Sequence, residues 1–157
     1  MSLSSSSPLS LYSIPIVWFL GFYPNVLKGR LLVKTIGFNN VQPRDNVARL
    51  ERHKDAEKVS AEIAAKARRL EAAHLNGTET FPLWGIAVLA GNYARMDNET
   101  LNKLALSYAV LRIAFNYIYA NQTTRFQALL RSAVWTAATS IPLYILVKAA
   151  NIVRLGL

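Results

Sequence analysis

A chain of 157 residues is long enough for one ordinary domain, but 52% hydrophobic and only 17% charged residues make it too apolar for a typical water-soluble one. Its net charge of +9 would suit nucleic acid if cations and stacking aromatics were interleaved; instead eleven of the eighteen Lys and Arg fall between Lys28 and Arg69, while the aromatics lie in the apolar runs. There is no cysteine, which excludes disulfides, thiolate metal ligands and a cysteine nucleophile.

The first 27 residues carry no charged side chain. Within them an apolar segment from about Leu9 to Leu27 is long enough to cross a hydrocarbon core of ~30 Å, and it predicts a helix over roughly 9–32. It lacks the cationic start of a secretory signal, and Tyr23, Pro24 and Asn25 replace the small-residue cleavage pattern. Pro15 and Pro24 are tolerable where neighbouring helices satisfy the freed carbonyls.

A second helix is expected over 46–92. Ala, Glu, Lys and Arg dominate its first part, no Gly or Pro occurs from Asp45 to Asn76, and Asp45 or Asn46 can cap its start. Ala61, Ala64, Ala65, Ala67, Ala72 and Ala73 offer small faces for close packing. Its last part, from Thr80, is free of charge but too short to span alone. The third helix, 101–120, contains Lys103 and Arg112, and the fourth, 128–153, contains Arg131 and Lys148.

Together these predict an all-α, four-helix transmembrane bundle forming a single domain over 1–157. Asn76, Glu79 and Arg112 are expected to face its interior, with Arg131 and Lys148 near the helix ends. The basic stretch 28–69 should be cytosolic and both termini on the other side. Of three glycosylation sequons, only Asn98-Glu-Thr100 then lies on the lumenal side, while those at Asn76 and Asn121 are hidden.

Polar residues recur at helical spacing. Arg69, Asn76 and Glu79 stand at i, i+7 and i+10, and Arg112, Phe115 and Tyr119 at i, i+3 and i+7. Two such stripes on facing helices make a pocket with donors and acceptors of both signs, suited to a charged, peptide-like small molecule. His74 reads as a structural donor; its one companion, His53, is distant, so no metal site is expected. Tyr108, Tyr117 and Tyr144 read as interface anchors.

"AHLNGTETFPL", followed by "RIAFNYIY" and "LRSAVW", resembles the MAPEG family, the membrane-associated proteins of eicosanoid and glutathione metabolism. The earlier "FNNVQPRDN" is similar to its fungal and bacterial branch, and the resemblance runs from about Leu9 to Val153. It implies a homotrimer in the endoplasmic reticulum membrane, with glutathione at subunit interfaces near the cytosolic side. It further implies that Asn76 and Glu79 hold the glutathione backbone, while Tyr119 and a fourth-helix arginine approach its ends. That arginine best matches Arg131, with Arg125 as rival. Family enzymes often carry another Arg where this chain has Ala72, so Arg69 or Arg68 would supply that charge.

The chemistry of these side chains fits such a ligand. Glutathione's two carboxylates want Arg, its amine wants Glu, and an amide such as Asn76 bridges peptide groups; Arg69, Asn76, Glu79, Arg112 and Tyr119 make up the expected binding set. A cation in a partly dry site favours thiolate over thiol, so Arg131 can be catalytic without any protein nucleophile. The thiolate would then attack a hydrophobic small-molecule electrophile or lipid hydroperoxide arriving through the bilayer. The competing reading is a non-catalytic membrane partner of the same fold, which Ala72 favours.

Overall fold

The structure is a computed structural model that describes residues 7–55 and 59–156, and every regular element among them is helical. A 3-10 turn, Leu9–Tyr12, leads into α1 (Ser13–Thr35); then follow α2 (Asn46–Asp55), α3 (Ala61–Tyr93), α4 (Asn98–Asn121) and α5 (Arg125–Leu155).

The boundaries follow from local side-chain chemistry, and one of them corrects the expectation of an unbroken helix over 46–92. The chain divides there into α2 and α3. Ser60 adopts an extended conformation and its hydroxyl accepts the Ile63 N–H, so a new helix starts at Ala61. The search for Gly and Pro alone overlooks such a start, because a serine cap interrupts without either. Asn46 also behaves differently from a simple cap. Its buried amide accepts the Asn39 N–H at 2.9 Å and donates to the carbonyls of Asn39 and Pro43, tying the 39–46 loop to the head of α2.

The last two helices begin earlier than 101 and 128. Asp97 caps α4 by accepting the Thr100 N–H at 2.8 Å, and Thr124 with Gln127 forms a capping box at the head of α5. Arg125 is therefore the first residue of α5, and Arg131 lies nearly two turns inside it.

The four long helices pack on one another. α3 contacts α1, α4 and α5, and α4 also contacts α1 and α5. The main core gathers Val17, Trp84, Val88, Leu101, Tyr108 and Ile145. Trp84 and Tyr108 stack with ring centres 4.0 Å apart, so Tyr108 is a buried core residue and not the interface anchor expected of it, and the indole N–H donates to the Ser13 hydroxyl at 3.2 Å. A smaller core of Leu32, Leu50, Ala64 and Ala67 holds α2 against α1 and α3. Of the six alanines expected to pack closely, Ala64, Ala67 and Ala73 are fully buried, Ala65 and Ala72 are half-buried, and Ala61 is exposed.

α1 and α3 meet backbone to backbone at two glycines, Gly21 and Gly77. A Cβ built on Gly77 would lie 2.5 Å from the Gly21 Cα, a distance no real side chain tolerates. The adjacent His74 ring Nδ1 donates to the Gly21 carbonyl at 3.0 Å, as a structural donor should.

Large apolar side chains also cover the outside, among them Trp18, Phe19, Ile86, Leu89, Val110 and Val147. Leu9–Thr35 and Arg125–Leu155 are long and apolar enough to cross a membrane by length and composition.

Candidate functional site

The site is built where α3, α4 and α5 meet. Arg112, in the middle of α4, is only 2% exposed, and its Nη1 donates to the Asn76 Oδ1 of α3 at 2.9 Å. Its guanidinium carbon also lies 4.7 Å from the centre of the Phe115 ring. Nη2 is buried with no protein partner among the described residues. A charge taken this far from water is costly unless hydrogen-bonded, so the Asn76 amide is held in one orientation by the arginine it satisfies.

One helical turn toward the C-terminus of α4, Phe115 meets Tyr119 edge to face at 5.4 Å, and Arg131 of α5 covers the other ring. The Arg131 guanidinium lies 4.5 Å from the centre of the Tyr119 ring. Asn76, Phe115, Tyr119 and Arg131, with Ser132, Trp135 and Thr136, line an open groove of about 420 Å³. Its lining combines the aromatic rings of Phe115, Tyr119 and Trp135 with the Asn76 amide and the Arg131 cation. Such a groove can hold a small polar molecule and stabilise negative charge near Arg131.

Three of the five predicted binding residues, Arg69, Glu79 and Arg112, do not line this groove, and Arg112 acts on it only through Asn76. Arg69 faces α4 as Asn76 does, but its Nε donates to the Ala120 carbonyl at 3.3 Å, in the last turn of that helix. Glu79 is exposed, has no hydrogen-bond or ion-pair partner among the described residues, and does not line the groove. Three residues beyond Asn76 it is rotated by roughly 60° around the helix, enough to leave the face shared by Arg69 and Asn76. The interior position expected for Glu79 is thus not found within this chain. Arg125 is exposed at the first position of α5, outside the groove. Arg68, the other candidate to replace the charge missing at Ala72, forms an ion pair with Glu51 of α2.

Ser132, Trp135 and Thr136 were not singled out from the sequence. Trp135, four residues beyond Arg131, shares its side of the helix, whereas Ser132 and Thr136 lie about 100° and about 140° around from it and carried no such signal. A second cavity, about 570 Å³, lies between α1, α3 and the loop before α2, and Lys28, Arg44, Glu71 and His74 are among its lining. Lys28 and Glu71 close an ion pair across it at 3.1 Å, with the Lys28 side chain only 10% exposed.

Comparison with known proteins adds one finding. A sequence description of the MAPEG family matches residues 12–151. No curated protein and no solved structure matched the chain significantly.

Proposed function

The chain belongs to the MAPEG family, and on that basis we propose that it is a glutathione-dependent membrane enzyme. The family includes glutathione transferases and peroxidases as well as non-catalytic members. What favours catalysis here is the groove in which Arg131 stands over Tyr119 and shares the lining with Asn76. In this reading glutathione lies in the groove with its backbone against Asn76. Arg112 holds that amide in place, and Tyr119 supports Arg131. Arg131 stabilises the thiolate, which attacks a hydrophobic electrophile and expels its leaving group, or attacks the outer oxygen of a lipid hydroperoxide, breaking the O–O bond to leave a lipid alkoxide that water protonates and a glutathione sulfenic acid that a second glutathione converts to disulfide and water. Glu79 and Arg69, which lie outside the groove, serve the amine and a carboxylate where the same ligand extends beyond it.

The remaining parts of the proposal concern the setting. α1, α3, α4 and α5 all cross the bilayer of the endoplasmic reticulum, residues 28–69 are cytosolic, and three copies assemble. The apolar exterior supports the bilayer, and an exposed Glu79 beside Phe81 supports a neighbour that covers it, because a lipid-facing carboxylate is expensive. The test is a glutathione titration of the detergent-purified protein, followed by thiolate absorbance. Saturable binding with a thiolate signal at neutral pH is expected; no binding overturns the proposal. A non-catalytic partner is the second reading, favoured by Ala72 and by the position of Glu79 outside the groove. Binding without thiolate or turnover would select it.

A further inference from the structure

We infer that the C-terminal end of α1 carries a binding site for an anionic phospholipid. Val26, Arg30, Val33 and Lys34 lie at i, i+4, i+7 and i+8, hence on one face of the helix. With Gly29 and Phe38 they form an open groove of about 430 Å³ whose surface is almost wholly apolar. Arg30 and Lys34 are exposed, and neither has a carboxylate partner among the described residues. Lys28, turned away from this face, is by contrast neutralised by Glu71. At Gly29 a Cβ would meet no atom within 4 Å, so the absent side chain leaves the groove floor open.

The combination distinguishes a lipid from other occupants. The helix dipole accounts for cations near a helix C-terminus, but not for an apolar trough between them. A soluble anion would use the cations and gain nothing from Val26, Val33 and Phe38. An acidic phospholipid uses both, with its acyl chain along the trough and its phosphate between Arg30 and Lys34, whose stems lie along the apolar surface. The site rests on the proposal that α1 spans the membrane with this end cytosolic, where acidic lipids concentrate.

Native mass spectrometry of the full-length protein in mild detergent, titrated with phosphatidylserine or phosphatidylcholine, tests it. Wild type should retain phosphatidylserine preferentially. Each cation near the surface contributes about fivefold, so Arg30→Gln with Lys34→Gln should lower phosphatidylserine affinity roughly thirtyfold. Gly29→Leu keeps both charges and fills the floor, and should also weaken retention several-fold. Equal retention of the two lipids by wild type overturns the inference. So does unchanged affinity in Gly29→Leu, which would reduce the effect to plain attraction by a basic surface. Glycerophosphoserine, the headgroup without chains, should compete poorly; equal competition would mean a soluble-anion site. Glutathione affinity should not change in any of these variants, so failure here is separable from failure of the proposed enzyme function.

Discussion

The guanidinium of Arg131 rests 4.5 Å from the centre of the Tyr119 ring, which fixes a cation from α5 above an aromatic from α4. Losing a cation beside a resting or developing anion costs on the order of 2–4 kcal/mol, or ~30-fold to ~1000-fold in rate. Arg131→Ala should therefore remove most turnover with an aryl halide acceptor and raise the thiol pKa, while glutathione still binds. Arg125→Ala, outside the groove, should leave both signals intact. The opposite pattern would assign the chemistry to Arg125.

Asn76 and Arg112 should be coupled in stability. Asn76→Ala leaves a guanidinium buried with its Nη1 bond unmade, at a cost of about 1.5–3 kcal/mol. Arg112→Met removes the charge as well and should cost less. Thermal denaturation in detergent orders the two variants, and a wild-type melting temperature for Asn76→Ala would show the bond to be dispensable.

Gly77→Ala should separate α1 from α3, since the new methyl would meet Gly21 backbone that cannot yield. Overpacking of this kind typically costs about 1–3 kcal/mol. Gly85→Ala, in the same helix with open space around it, is the control and should melt no lower than wild type.

Orientation can be read with single cysteines, because the chain has none. Val41 lies in the 36–45 loop and is 89% exposed. Val41→Cys should react with an impermeant maleimide only from the cytosolic side of sealed microsomes. Labelling confined to the lumenal side would invert the proposed topology.

The Asp97 cap predicts an acid dependence. The Thr100 backbone N–H, and then its hydroxyl, bind the ionised carboxylate and hold its pKa below the ordinary value. The stabilisation is complete above the unfolded value of about 3.9 and is lost as pH falls through the lower folded value. Wild type should thus outlast Asp97→Asn at neutral pH, with the two melting curves converging in strong acid. A constant gap would assign the effect to something other than ionisation.

The sequence made the all-helical architecture readable because apolar periodicity and composition are local properties. The pairing of Arg112 with Asn76 was half visible. Each stripe followed from spacing, but which side chains met across it depended on how α3 and α4 are rotated in the packed chain. Glu79 shows the limit, since a displacement of roughly 60° around α3 is lost when i+7 and i+10 are counted as one face. The break before Ala61 was also written in the chain, as Ser60, but cap residues are common outside helix starts and only the geometry selects one. Trp135 escaped notice because an aromatic in an apolar run reads equally well as a lipid anchor.

Arg69 gives its Nε hydrogen to the Ala120 carbonyl before any ligand arrives. Capture of a carboxylate through the two Nη groups would surrender nothing. If Arg69 takes it through its Nε–Nη edge, as proposed for glutathione, capture is an exchange, in which a bond to a neutral carbonyl is surrendered for a stronger charge-assisted one. Affinity measures only the difference between the two. The surrendered bond also belongs to the final turn of α4, immediately after Tyr119. Occupancy at Arg69 would be felt there as fraying, a faster hydrogen exchange at the end of α4 in the loaded protein than in the empty one.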